Sequence, residues 1–190
     1  MRKLKLQVQI TIDGFVAGPN GEMDWMTSEA DDEVEAVMNA LTDSSDTILL
    51  GRKMNDGFVD FWTSVLDTPE SPVYAFAQRM IDTPKIVFSK TVKESKWANT
   101  TVANGDLVEE IEKLKQQDGK DIVVYGGATF VSNLIKENLI DEFNLFINAT
   151  AIGSGLTIFS KLEGNLRLEL TNSQRFECGE VLNTYQLKRD

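Results

Sequence analysis

Apolar and polar residues alternate strictly at the start of the chain. Leu4, Leu6, Val8, Ile10 and Ile12 are separated by Lys5, Gln7, Gln9 and Thr11, which predicts a strand with one apolar face. Three more apolar runs read as short buried strands: Thr47–Leu50, Ile86–Phe88 and, from Asp121, Ile122–Tyr125, while Thr100–Ala103 reads as a weaker one. Helical spacing fills the intervals. Val34, Val37, Met38 and Leu41 form one apolar stripe, with Ser28 or Asp31 as the cap. Met54 to Trp62 reads as a short helix burying Phe58, Phe61 and Trp62. Pro69 is placed to begin another through Val73, Phe76, Ala77 and Met80. Asp106 caps a helix with Leu107, Val108, Ile111 and Leu114 on one face, closed by Gly119. Phe130, Val131, Leu134 and Ile135 mark a last one.

Beyond about Asn138 the alternation of strands and helices gives way to strand after strand. Phe143, Leu145, Ile147, Ala149 and Ala151 alternate, Gly153-Ser154-Gly155 turns the chain, and Leu156, Ile158 and Phe159 return. Leu166, Leu168 and Leu170, then Val181, Leu182, Tyr185 and Leu187, predict an antiparallel hairpin about Cys178-Gly179-Glu180. This order predicts an α/β fold of three layers, α/β/α, on a mixed, mostly parallel sheet with an antiparallel C-terminal hairpin. With 190 residues, no repeat and no dividing linker, residues 1–190 are expected to form a single domain.

Composition narrows the chemistry. A net charge of −11 argues against nucleic acid, whose phosphates need clustered Lys and Arg. No apolar stretch is long enough for a membrane span or a secretory signal, and a lone cysteine, Cys178, fits a cytoplasmic protein. The chain has no histidine, which removes Ser-His-Asp and Cys-His schemes and the usual zinc sites, so no metal is expected. Enzymatic chemistry would rest on carboxylates, hydroxyls, lysines or a cofactor.

Candidate chemistry sits at strand ends. Gly126-Gly127 separate the Asp121 strand from the helix opening at Ala128 and Thr129. A bare backbone there admits a ligand closely, and the helix amides favour an anion such as phosphate. The pair is also ordinary punctuation between strand and helix. Gly51-Arg52-Lys53 follow a second strand and Ser89-Lys90 a third; each set suits a phosphate, or solvates an exposed turn. In an open α/β sheet such ends converge on one ligand. The glycine-rich loop Asp13 to Met26 either closes over a ligand, with Trp25 as a wall, or is a surface loop pinned by a buried tryptophan.

The stretches LQVQITIDGFVAG, ILLGRK, KIVFSK, VVYGGATF and LIDEFNLFINATAIGSGLTIF, together covering the chain's length, resemble the dihydrofolate reductase-like fold. Within it the chain is most similar to the reductase domain of bifunctional riboflavin-biosynthesis deaminase-reductases and their stand-alone relatives. The resemblance implies an NADPH-dependent oxidoreductase acting on a small nitrogen heterocycle. Val16 and Ala17 would lie against the nicotinamide, Gly51, Arg52 and Lys53 at the pyrophosphate, and Ser89 and Lys90 at the 2′-phosphate. Gly126 and Gly127, often joined by a cis peptide in that family, would form the floor, with Ala128 and Thr129 opening the helix beyond. Two departures stand out. Met54 replaces the threonine usual after the Gly-Arg turn in dihydrofolate reductases, and the carboxylate those enzymes place early in the helix after the tryptophan has three candidates, Asp31, Asp32 and Glu35. A ribosylaminopyrimidine reductase of riboflavin biosynthesis ranks first, dihydrofolate reductase second, and a non-catalytic NADP-binding module is the alternative of another class. The resemblance also implies a homodimer.

Overall fold

The computed structural model describes residues 1–26 and 31–188 of the chain. Its strands are β1 (Leu4–Thr11), β2 (Ser45–Gly51), β3 (Lys85–Phe88), β4 (Thr100–Ala103), β5 (Asp121–Gly126), β6 (Glu142–Asn148), β7 (Leu168–Arg175) and β8 (Val181–Leu187). They form one sheet in the order β4-β3-β2-β5-β1-β6-β8-β7. The six from β4 to β6 are parallel, and β8 runs antiparallel to both β6 and β7. The expected mixed sheet with its C-terminal hairpin is therefore present. β1 lies near its middle, Leu6 beside Val124 on one side and Phe143 on the other.

The two faces of β1 explain the layers. Leu4, Leu6, Val8 and Ile10 point into a cluster with Leu49, Val124 and Phe143, covered by α4 (Leu107–Gln116) through Ile111 and Leu114 and by α5 (Ala128–Lys136) through Phe130, Val131, Leu134 and Ile135. Each such apolar side chain stabilises the fold by about 1.5–3 kcal/mol when fully buried. On the opposite face α2 (Arg52–Val65) and α3 (Tyr74–Asp82) cover Ile48, Leu50, Val87 and Val123 with Phe58, Val59, Phe76 and Met80. Beside them α1 (Asp32–Asp43) sets Val34 against Phe146, Phe176 and Leu182. Gln7, Gln9 and Thr11 share this second face and give it a polar centre.

Several boundaries differ from the sequence expectation. The helix expected from Met54 to Trp62 runs from Arg52 to Val65, and Phe61 is 57% exposed. Phe58 and Trp62, one turn apart, take the inner face; Phe61 stands outside and meets Trp62 edge-on at 4.8 Å. The helix expected from Pro69 begins only at Tyr74, because Pro72 would fall where a helix starting at Pro69 needs an amide donor. Thr68 to Tyr74 instead makes successive turns, Ser71 N bonding Thr68 O and Tyr74 N bonding Ser71 O. Val108 is turned partly to solvent while Ile111 and Leu114 are buried. The alternating run to Ala151 leaves the sheet after Asn148, where the Asp13 carboxylate accepts from the Ile152 and Gly153 amides. Leu156 returns only as a single bridge to Ala17. Of the two proposed caps, Asp31 is the one seen; Ser28 lies outside the described residues.

Lys85 is a buried lysine with a structural task. Its ammonium donates to the carbonyls of Met80 (2.9 Å), Ile81 (2.7 Å) and Thr83 (2.8 Å), closing the end of α3. Lys85→Met keeps the apolar stem and strands those carbonyls. It is expected to lower the unfolding free energy by about 2 kcal/mol or more, read from urea midpoints.

Candidate active site

The three strand ends singled out in the sequence are neighbours in the sheet. Gly51 pairs with Phe88, so Ser89 and Lys90 emerge beside Arg52, and Leu50 pairs with Gly126 on the other side. The approach is tight. A Cβ on Gly51 would lie 2.8 Å from the Phe130 Cβ and 3.6 Å from the Gly127 amide nitrogen, and Phe130 itself stacks on Phe88 at 5.1 Å. Gly126 has φ of 146°, a region that favours glycine, and the Gly126-Gly127 peptide is cis. Met54 lies over this pair, its Sδ 2.9 Å from where a Gly126 Cβ would be.

Two helices begin at this junction. Gly51 precedes α2 and Gly127 precedes α5, and neither start has a side-chain cap. The first-turn amides of Arg52 and Lys53, and of Ala128 and Thr129, have no intrahelical acceptor, so they present donors and the positive ends of two helix dipoles. The Arg52 and Lys53 side chains are exposed beside them. Backbone, dipoles and cations thus fit a diphosphate, while the Met54 thioether adds bulk rather than a hydrogen bond.

A cleft of about 230 Å³ continues from α2 towards β3 and β4, lined by Arg52, Asn55, Val87, Ser95, Lys96 and Val102 among others. Asn55 is buried, and its Oδ1 has no partner. Lys96 stands 4.8 Å from the centre of the Trp97 ring and 3.6 Å from Asp56. The Trp97 indole N–H donates to Asp56 at 2.9 Å, which with Lys96 holds that carboxyl below the usual carboxylate range. Ser89, expected at the 2′-phosphate, turns its Oγ to the amides of Thr91 (3.1 Å) and Val92 (2.9 Å), while Lys90 reaches the Gly105 carbonyl at 3.3 Å. Asn55, Ser95 and Lys96 carried no sequence signal, because they sit on a helix face or in the aperiodic stretch before β4.

The α1 carboxylates occupy different surroundings. Asp31 Oδ1 caps α1 through the Glu33 and Val34 amides, and its Oδ2 accepts from the Cys178 amide at 3.1 Å. Those bonds, Cys178 first, hold its carboxyl low, so it clamps the β7–β8 turn to α1. Asp32 is exposed and Glu35 half-buried. The structure also shows a carboxylate missed in the sequence, Glu180, buried in that same turn. Tyr125, just before the glycines, hydrogen-bonds Thr42 of α1 at 3.0 Å; burial pushes its pKa to about 12 and keeps the phenol neutral.

The loop after β1 is anchored at its root. Val16 N bonds Leu156 O and Leu156 N bonds Ala17 O, both at 2.8 Å, and a Cβ on Gly155 would collide with the Ala17 carbonyl. Val16 packs against the core beneath α5, and Trp25 is buried with its indole N–H unpartnered. Among the described residues no helix is long and apolar enough to cross a membrane.

Comparison with known proteins places this architecture. The family model of the RibD C-terminal domain matches residues 2–182. Two Bacillus subtilis proteins are similar along their length: the uncharacterized YyaP, 33% identical over 97% of this chain and 94% of its own, and the uncharacterized YwjB, 27% identical over 92% of each. Among solved structures, a Shewanella sp. PV-4 protein linked by its name to riboflavin biosynthesis superposes with a TM-score of 0.77 at 24% identity, covering both chains fully. A deaminase/5-amino-6-(5-phosphoribosylamino)uracil reductase from Thermotoga maritima gives 0.70 at 19% identity; the match takes in 98% of this chain and 57% of that one. Those two likenesses carry the dihydrofolate reductase-like fold. Matched by the family model over nearly its whole length, the chain belongs to the RibD C-terminal domain family.

Proposed function

We propose that the protein is an NADPH-dependent reductase whose substrate is a ribosylaminopyrimidine phosphate or a closely similar heterocycle. The observation that carries this reading is the pair of uncapped helix starts behind Gly51 and Gly127 on adjacent strands, a donor set built for the cofactor's diphosphate. Arg52 and Lys53 neutralise its charge, and the cleft lined by Arg52, Ser95 and Lys96 accepts the adenosine end with its 2′-phosphate. Bound there, NADPH supplies a hydride. The chain's own share is to hold the reacting rings in register and exclude water, with Val16, Ala17 and the cis Gly126-Gly127 backbone at the nicotinamide end. Membership of a family named for the RibD C-terminal domain, and the uracil reductase activity in the name of the Thermotoga neighbour, support the pyrimidine over a folate substrate. So does the clamping of Asp31, the N-cap of α1, by three backbone amides. The reading includes a homodimer formed along the exposed β7 edge, for which sedimentation would give twice the 21.2 kDa chain mass.

NADPH fluorescence is expected to change and saturate on titration with the protein, and absence of any change would sink the cofactor assignment. Arg52→Ala should weaken that binding by about tenfold, the loss of one charge-assisted contact. Gly51→Ala forces a methyl group against the Phe130 Cβ. It should both destabilise the fold by about 1–3 kcal/mol and weaken NADPH binding, checked by thermal melts and the same titration.

A further inference from the structure

Strand order along the carboxyl edge of the sheet dictates where the two halves of an extended ligand lie. With a diphosphate at the starts of α2 and α5, which follow β2 and β5, one half runs outward over β3 and β4 into the cleft beside Arg52. The other half runs the opposite way, over β1 and then β6. Beyond the sheet the chain segments leaving these two strands stay tied together. Ile12 N donates to Thr150 O at 3.0 Å. The Asp13 carboxylate then bridges the two segments. Its Oδ2 accepts from the Gly153 amide at 2.7 Å and the Ile152 amide at 3.1 Å, and its Oδ1 accepts from the Thr11 hydroxyl at 2.6 Å.

Thr11 carries the restraint onward. It is 2% exposed, and its Oγ1 accepts from the Phe15 amide at 2.9 Å. Its backbone N–H donates to the Phe15 carbonyl at 2.9 Å and its carbonyl accepts from the Gly14 amide at 3.0 Å, in a turn that Gly14 makes with φ of 88°. Val16 N then donates to Leu156 O and Leu156 N to Ala17 O, both at 2.8 Å. Gly155 lies so close to Ala17 that a Cβ there would collide with the Ala17 carbonyl. Residues 11–17 are therefore held against residues 150–156 at both ends, by Asp13 at one and by the Leu156 bridge at the other. A segment already ordered in this way loses little conformational entropy when a ligand docks on it.

We propose that Asp13 is a positioning residue: by pinning residues 11–17 to the segment after β6 it presets Val16 and Ala17 as a fixed platform for the nicotinamide, in place of a loop that closes on it. This deepens the reductase reading and rests on it. Calorimetric titration with two ligands tests it, one being NADPH and the other 2′-phospho-ADP-ribose, which keeps the diphosphate and the adenosine 2′-phosphate and lacks the nicotinamide. Asp13→Ala unpins the platform at one end, and Gly155→Ala forces a methyl group against the Ala17 carbonyl at the other. Each is expected to weaken NADPH binding by about tenfold and to leave 2′-phospho-ADP-ribose binding unchanged. Unchanged NADPH binding in Asp13→Ala, or equal loss for the two ligands, overturns the proposal.

Amide hydrogen exchange gives a second readout, independent of any ligand. In the wild-type protein the Phe15, Val16, Gly153 and Leu156 amides should be protected before any cofactor is added. Asp13→Ala should lose the protection at Gly153 while the amides within β1 and β6 keep theirs. Free exchange at all four amides in the wild type overturns the fixed platform whatever NADPH does. Absence of NADPH binding to the wild type removes the reductase reading instead, and the exchange pattern then decides the platform alone.

Discussion

The junction of β2, β5 and α5 governs how the rest of the molecule is arranged. There the chain leaves no room for a side chain at Gly51, where a Cβ would lie 2.8 Å from the Phe130 Cβ, and Gly126 takes a backbone conformation that favours glycine. Because Gly51 lets α5 pack so closely, Phe130 reaches Phe88 and ties that helix to β3. The same close approach aligns two helix starts with adjacent strand ends. One geometric requirement therefore produces both the core packing on one face and the pair of uncapped helix starts at its rim.

The opposite face does different work. Its hydrophobic clusters under α1, α2 and α3 flank a polar strip in which Gln7 and Gln9 of β1 stand beside the buried Asn144 and Asn148 of β6. Polar groups are costly inside a sheet unless bonded, and Gln9 meets this by accepting from Asn148 Nδ2 at 2.6 Å. Asp31 closes the strip from above. By capping α1 and accepting from Cys178 it fixes the helix to the hairpin turn.

How much of this was legible in the sequence depended on periodicity. β1 and the α5 helix announce themselves because their apolar positions repeat with the period of their secondary structure, and the glycines at their ends mark the turns. Helix limits were less legible: Pro72 deferred the start of α3 by five residues, and the phase of α2 turned Phe61 outwards. The three strand-end motifs could be proposed as one site because parallel strands present their ends together. Lys96, Asn55 and Glu180 could not. Lys96 sits in a polar stretch of no period, and Glu180 reads as a turn residue until the sheet brings it to Gln9, near the other end of the chain.

Amide chemical shifts recorded while NADPH is added to isotope-labelled protein test the central claim most directly. The account predicts that the largest shifts fall on the amides of Arg52, Lys53, Ala128 and Thr129, the open starts of α2 and α5. Binding that leaves those four amides unmoved, with the shifts gathered elsewhere on the surface, would contradict it.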